Sequence, residues 1–96
     1  MSDEAYTLAL APAARRALTE PPPKGLPFAV ATAVTEFITG ALVDNPQRVG
    51  KPLMRELAGY HSVRRGAYRV VCRILEAERV VRVVRIDHRA DVYHTR

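Results

Sequence analysis

The stretch Arg64-Arg65-Gly66-Ala67-Tyr68-Arg69-Val70-Val71-Cys72-Arg73-Ile74 combines the alternation of a β-strand with a dense positive charge. Successive side chains of a strand point to opposite faces of the sheet. The alternation therefore predicts a core face formed by Tyr68, Val70, Cys72 and Ile74. The opposite face carries Arg69, Val71 and Arg73. This segment predicts a sheet with one apolar face and one cationic face.

A second strand is predicted from Arg79 to Ile86, a valine-rich run that contains Arg82 and Arg85. Only the short polar segment Glu76-Ala77-Glu78 separates it from the first strand, and β-branched runs joined by so few residues are typical of an antiparallel hairpin. Arginines on the two strands would then lie side by side. Because like charges facing each other destabilise a sheet, the pattern favours a surface that an anionic partner neutralises.

The composition is typical of a soluble globular protein, with 48% apolar and 26% charged residues among 96. This length predicts a single domain, residues 1–96, with a modest core. The single cysteine excludes an intrachain disulfide, and its place on the apolar face of a strand predicts a core residue rather than a nucleophile. No apolar run is long enough to span a bilayer, and no export signal is evident. We therefore expect a cytoplasmic protein with no membrane partner.

Charge is divided unevenly along the chain, whose formal net charge is +5. Residues 1–47 sum to −2 and residues 48–96 to +7. A basic half of this kind is typical of a protein that binds nucleic acid or is held by an acidic protein partner. The charge places the candidate functional surface in the second half of the chain.

The first half predicts one strand followed by two helices. Residues 6–10 alternate large and small side chains, as a half-buried strand does. A short helix is predicted over residues 12–18, because strong helix formers follow a proline and three further prolines then prevent its continuation. A longer helix is predicted over residues 28–43, where apolar side chains recur at helical spacing.

The second half predicts a loop and then strands. Residues 47–53 show no apolar period after the turn signal Asp44-Asn45-Pro46, so we expect a surface loop that carries two cations. Residues 57–63 lead into the strand pair. The predicted order of one strand, two helices and three strands defines an α+β fold. In it, a small, mostly antiparallel sheet carries the N-terminal helix pair on one face and leaves the other face open.

Four segments of the second half have the order and spacing of a known family. They are Gly50-Lys51-Pro52-Leu53, Glu56-Leu57-Ala58-Gly59, Arg64-Arg65-Gly66 through Tyr68-Arg69-Val70-Val71, and Asp87-His88-Arg89-Ala90-Asp91-Val92-Tyr93. Together they resemble the RelE group of the RelE/ParE toxin superfamily, and its mycobacterial members most of all. The resemblance covers nearly the whole chain, and the last segment, with its histidine, arginine and tyrosine, is the most specific.

The resemblance implies the fold just described and a toxin of a type II toxin–antitoxin system. Such a toxin is an mRNA endoribonuclease that acts in the ribosome and inhibits translation. Its implied partners are the ribosome, messenger RNA and a cognate antitoxin, with which it forms a hetero-oligomer. The positions that match the family's active residues are Arg69, Arg89 and Tyr93, with the cationic neighbours Lys51, Arg64 and Arg65. Where the best-known member has closely spaced lysines, this chain has His61, Ser62 and Val63.

Metal-independent cleavage of RNA sets three tasks. The 2′-hydroxyl must lose its proton, the phosphoryl oxygens must be neutralised, and the 5′-oxygen must be helped to leave. Arg69 is assigned the second task, because a guanidinium stays charged and binds two oxygens at once. Arg89 is a candidate for the third, and Tyr93 for stacking on a base. His88 is a candidate general base, since histidine ordinarily titrates near neutrality, the alternative being an ordinary histidine at a strand end.

A predicted RNA-binding set surrounds these catalytic candidates: Lys51, Arg64, Arg65, Arg73, Arg85 and His61. The sequence contains no Walker loop, dinucleotide-binding glycine pattern or acidic metal-binding cluster, so we expect no cofactor and no metal. Two alternatives stay open beside the ribonuclease, namely a ParE-like poison of DNA gyrase and a basic RNA-binding module without activity. The combination of Arg69, Arg89 and Tyr93 favours the ribonuclease.

Overall fold

Five strands and four helices make up the computed structural model, which describes residues 5–88 except for the side chain of residue 57. The strands are β1 (Thr7–Leu10), β2 (Lys51–Pro52), β3 (Tyr60–Arg65), β4 (Tyr68–Leu75) and β5 (Val80–His88). The helices are α1 (Pro12–Thr19), α2 (Phe28–Thr39), α3 (Ala41–Asp44) and α4 (Pro46–Val49), and a 3₁₀ turn spans Arg55–Leu57. The predicted α+β class is confirmed. Within residues 5–88, no helix has both the length and the apolar character needed to cross a bilayer.

The strands form one sheet in the order β1-β5-β4-β3-β2. β1 pairs with β5 in parallel, and every other pairing is antiparallel, so the mostly antiparallel sheet and its predicted hairpin are confirmed. A two-residue turn, Gly66-Ala67, joins β3 to β4. Its first residue has a φ of 55°, the backbone that a type II′ hairpin turn requires of that position and that glycine adopts most readily.

The core lies between one face of the sheet and the helices α1 and α2. Val70 and Cys72 of β4 are fully buried there, as the alternation predicted, and Tyr68 packs against them. The other fully buried apolar side chains come from both layers: Ala14, Val34, Ile38, Leu42, Pro46, Val81 and Val83. The predicted first strand also contributes its apolar face, because Tyr6, Leu8 and Leu10 all pack against this cluster.

The long helix predicted over residues 28–43 is interrupted. α2 ends at Thr39, and Gly40 takes a φ of −119° and a ψ of −94°, outside the helical region, before α3 begins. Glycine is the residue that least favours a helix interior, and here the chain changes direction at it. Most of the predicted apolar stripe is buried, but Ala41, which lies beyond the break, is exposed.

The loop predicted over residues 47–53 is also wrong. The segment contains most of α4 and the short edge strand β2, which pairs with β3. Pro52 is compatible with an edge strand because proline lacks the N–H that a central strand needs. A Cβ on Gly50 would lie 2.8 Å from the Cγ2 atom of Val63, so glycine permits the close approach of this segment to the sheet. These contacts are tertiary, and apolar periodicity does not record them.

Cys72 has the properties of a core residue and provides a test of the core. Burial raises the pKa of its thiol from 9.0 to about 11. Between these values the unfolded chain releases a proton that the folded chain keeps, so the free energy of unfolding is expected to fall as the pH rises, by roughly 2–3 kcal/mol. Urea titrations at about pH 8 and about pH 11 measure this loss. Cys72→Ala should lose less stability over the same interval, and an equal loss in both proteins would contradict the assignment.

Candidate functional site

The face of the sheet opposite the helices, which we call the open face, consists of three cross-strand rows of side chains. The first row is Arg64, Arg69 and Asp87. The second is Lys51, Ser62, Val71 and Arg85. The third is Tyr60, Arg73 and Arg82. These rows hold six cations and one carboxylate. The side-by-side placement of arginines predicted for β4 and β5 is confirmed at Arg73 and Arg82. Arg64 and Arg69 also face each other, across β3 and β4.

A β-bulge in β5 places two of these arginines on the open face. Arg82 and Arg85 are three residues apart and could not share a face of a regular strand. The register shifts between them, because Val71 pairs with Arg85 while the next residue of β4, Cys72, pairs with Val83. One extra residue, Val84, is accommodated there, and the alternation is inverted beyond it. The bulge thus keeps both charges out of the core.

An open groove of about 550 Å³ crosses the middle of the open face. Its lining is part apolar and part cationic: Leu53, Tyr60, Ser62, Arg69, Val71, Val84 and Arg85. The Arg73 guanidinium lies 5.7 Å from the centroid of the Tyr60 ring, within the range of a cation–π contact. The ring of Tyr60 and the guanidinium groups of Arg69 and Arg85 therefore line the same groove.

Asp87 is the carboxylate of the open face and the residue that sequence reasoning missed. The Arg85 Nε atom lies 3.1 Å from its Oδ1 atom and donates a hydrogen bond to Oδ2 at 3.2 Å. An ion pair this exposed adds only about 0–1 kcal/mol to stability, so its effect is to orient the Arg85 guanidinium. The available sequence signal is the three-residue spacing of Arg82 and Arg85, which indicates an irregular strand. The shift that makes Asp87 the register partner of Arg69 follows only from the pairing of β4 with β5.

Within residues 5–88, no carboxylate forms an ion pair with Arg69. Among residues 5–88 it makes no hydrogen bond or ion pair, its side chain is exposed, and its register partners are Arg64 and Asp87. Its charge is therefore not neutralised by a close partner in this part of the chain. A free guanidinium at the wall of a groove is suited to bind an oxyanion.

Three other predicted site residues face the helices. Arg65 pairs with Tyr68, and its guanidinium stacks 4.4 Å from the centroid of the Phe37 ring of α2. His88 also pairs with Tyr68. Burial is the main cause that raises the pKa of Tyr68, and the nearby charge of Arg65 opposes it. The structure therefore does not bring Arg65 and His88 together with Arg69.

His61 occupies the same helix-facing side, between Pro52 and the buried Cys72. Its Nδ1 atom is buried and has no hydrogen-bond partner among the described residues. The other two predicted catalytic residues, Arg89 and Tyr93, lie outside residues 5–88. No group of three or more histidine, cysteine, aspartate or glutamate side chains within residues 5–88 is arranged to hold a metal ion.

The sequence that forms this fold matches a known protein family. Residues 10–93 match the family model described as the ParE toxin of the type II toxin–antitoxin system parDE. The chain belongs to the RelE/ParE superfamily of type II toxin–antitoxin toxins.

Two toxins of Mycobacterium tuberculosis are close relatives. The chain is 48% identical to toxin RelG over 88 residues, which cover 92% of this chain and 95% of RelG. It is 41% identical to toxin RelE over 91 residues, covering 95% of this chain and 89% of RelE. Among solved structures, the RelBE2 toxin–antitoxin complex from the same organism matches with a TM-score of 0.77 and 46% identity, over 88% of this chain and 99% of the matched one. The resemblance to RelE-type toxins predicted from the sequence is confirmed.

Proposed function

We propose that this toxin is a ribosome-dependent mRNA endoribonuclease that cleaves without a metal. The observation that carries the proposal is the groove of the open face, where Arg69 and Arg85 line one volume. Two guanidinium groups on rigid strands suit a reaction in which negative charge develops on phosphoryl oxygens. Preorganised donors of this kind stabilise the transition state because they need not reorganise when the charge appears.

In the proposed mechanism each arginine has its own part. Arg69, without a carboxylate partner among the described residues, neutralises the non-bridging oxygens as the 2′-hydroxyl attacks phosphorus. Asp87 holds the Arg85 guanidinium so that it can bind the same phosphate or its neighbour. Arg89 is proposed to assist the leaving 5′-oxygen, and Tyr93 to stack on a base, as the family resemblance implies.

The proton acceptor decides how strongly this toxin depends on the ribosome. No imidazole lies on the open face within residues 5–88, since His61 and His88 both face the helices. The carboxylate of Asp87 accepts a hydrogen bond from Arg85 and is engaged in that contact. We therefore propose that the 2′-hydroxyl passes its proton to solvent water, and that cleavage depends on holding this hydroxyl in line with phosphorus. Orientation of this kind is worth about 7–11 kcal/mol at most. A ribosome that fixes the message supplies that orientation.

The same cationic face supports an antitoxin as partner. Six cations with one carboxylate attract any polyanion in the cytoplasm, where we place the toxin, so an acidic segment laid over the face would neutralise it and block RNA together. We propose a hetero-oligomer with such an antitoxin, as in the RelBE2 complex that the chain resembles. A second candidate function is a gyrase poison of the ParE type, favoured by the family model that matches residues 10–93.

Ribosome dependence is the test of the proposed function. Purified toxin is expected to cut messenger RNA on translating ribosomes at fixed positions within codons, and to cut the same RNA at least about a thousandfold more slowly when it is free. The measurement is mapping of new 5′ ends over time with and without ribosomes. A sample to which the proposed cognate antitoxin has been added serves as the control and should show no cuts. Equal, site-specific cutting of free RNA would contradict the mechanism, and DNA breaks without RNA cuts would select the gyrase poison.

A further inference from the structure

The groove of the open face has a second feature that phosphate chemistry does not use. Four of its lining side chains are apolar or aromatic: Leu53, Tyr60, Val71 and Val84. Its volume of about 550 Å³ falls within the range of small-molecule sites, which combine apolar walls with a few polar groups. We propose that this groove binds one nucleobase of the RNA, and that Tyr60 stacks on that base and sets the base preference of the toxin.

The arrangement of the rows matches one nucleotide and its phosphates. Rows two residues apart along a strand are separated by about 7 Å. Tyr60 therefore lies one row from Arg85 and two rows from Arg69. If a base stacks on Tyr60, Arg85 and Arg69 lie where they can bind the phosphate of that nucleotide and the next phosphate along the RNA. This inference rests on the proposed function, in which Arg69 and Arg85 bind the phosphate at the cut. The bound base would therefore lie beside the phosphodiester that is cut.

Tyr60 has the surroundings of a stacking platform. Its side chain is half-buried, which fixes the ring while leaving surface for a ligand. Arg73 lies beside it in register, with its guanidinium 5.7 Å from the ring centroid. Aromatic rings flanked by arginine bind the faces of nucleobases, and differences in stacking strength between the bases produce modest base preferences.

A peptide is a poorer match for this groove than a nucleotide. An acidic side chain of a peptide would neutralise Arg69 or Arg85. It would not fill the apolar part of the groove formed by Leu53, Val71 and Val84. A nucleotide carries its planar, weakly polar base and its anionic phosphate at the separation that the rows provide. The combination of an aromatic side chain with flanking cations therefore favours a nucleotide over a peptide in this groove.

A pair of trinucleotides tests the nucleobase site independently of cleavage. Both contain 2′-deoxyribose throughout, so that they cannot be cut, and one lacks the central base. The intact probe is expected to bind the wild-type toxin about tenfold more tightly than the abasic probe, as measured by a fluorescence or NMR titration. Tyr60→Leu should remove this difference, and Tyr60→Phe should keep most of it. Arg82→Ala, on the same face but outside the groove lining, should weaken both probes equally.

Mapping of cut sites on ribosomes completes the test. Tyr60→Leu is expected to broaden the distribution of bases at the cut and to leave cutting detectable. Equal affinity of the wild-type toxin for the two trinucleotides would overturn the nucleobase site even if ribosomal cleavage occurs. If the toxin discriminates the two probes but cuts no RNA on ribosomes, the nucleobase site stands and the proposed ribonuclease function fails.

Discussion

Arg69→Ala is expected to slow the cleavage of ribosome-bound message by about 100- to 1000-fold, the usual cost of losing one preorganised donor to a transition state. Binding to the ribosome should change little. Arg69 lines the groove and has no hydrogen-bond or ion-pair partner among residues 5–88, so its charge is available to the phosphoryl oxygens when their charge develops. Removal of an interaction that is made only in the transition state lowers the rate of cleavage in the bound complex.

The same substitution should leave the fold intact. Arg69 faces Arg64 directly across the β3–β4 pair, and like charges in that position destabilise a sheet. We expect the thermal midpoint of Arg69→Ala to equal or slightly exceed that of the wild type. A loss of activity without a loss of stability would separate a functional arginine from a structural one.

Single-turnover cleavage at saturating toxin, measured beside a binding titration, tests the role of Arg69. Arg82→Ala is the matched control, since Arg82 lies on the open face opposite Arg73 and outside the groove lining. It should weaken binding and reduce its salt dependence, with cleavage in the bound state nearly unchanged. An Arg69→Ala toxin that cuts at the wild-type rate once bound would remove Arg69 from the active site and with it the main support for an enzyme.

Gly25→Ala is expected to destabilise the fold by more than about 3 kcal/mol, enough to unfold a marginal domain of this size. Gly25 is buried where the chain leaves α1 and turns toward α2. A Cβ there would overlap the backbone carbonyl oxygen of Glu20 and lie 2.5 Å from its carbonyl carbon. The backbone on both sides is fixed by hydrogen bonds from the Gly25 N–H to the Pro21 carbonyl at 3.0 Å and from the Leu26 N–H to the Ala17 carbonyl at 2.8 Å. The overlap involves backbone, so no side-chain rotation can relieve it.

Gly66→Ala is the control for this prediction. Gly66 has a positive φ of 55°, but a Cβ built on it meets no atom within 4 Å. The substitution should therefore cost only the conformational strain of about 1–3 kcal/mol. Urea unfolding of both variants gives the comparison. A Gly25→Ala protein as stable as Gly66→Ala would show that the α1–α2 connection is looser than its hydrogen bonds indicate.

The alternation of apolar and polar residues was sufficient to predict the core face of β4 and the side-by-side arginines. Val70 and Cys72 are buried and Arg69 and Arg73 are exposed because successive side chains of a strand point to opposite faces of the sheet. The same rule, applied to β3, would have separated Arg64 from Arg65, which are adjacent and so point to opposite faces. Both had been assigned to one RNA-binding set, and Arg65 instead stacks on Phe37.

Other parts of the site depend on tertiary contacts that a single sequence does not display. The spacing of Arg82 and Arg85 was a sign of irregularity, but the position of the extra residue follows only from the pairing of β4 with β5. Asp87 becomes a neighbour of Arg69 through that shift. The strand β2 exists because Gly50 allows the chain to approach Val63, which is a packing relation without a period. The periodicity of apolar residues thus predicted which face of the sheet packs against the helices. The residues that line the groove could be identified only from the register of the paired strands.

The parallel pairing of β1 with β5 has a consequence for how this protein is made. Thr7 near the start of the chain finds its register partner only in Val80 near the end. β5 lies between β1 and β4, so the sheet lacks an inner strand until the last part of the chain has been synthesised. Pairings between such distant segments also form slowly. A protein proposed to cut messages in the ribosome therefore cannot complete its open face until β5 has been synthesised, and the order of synthesis delays its action.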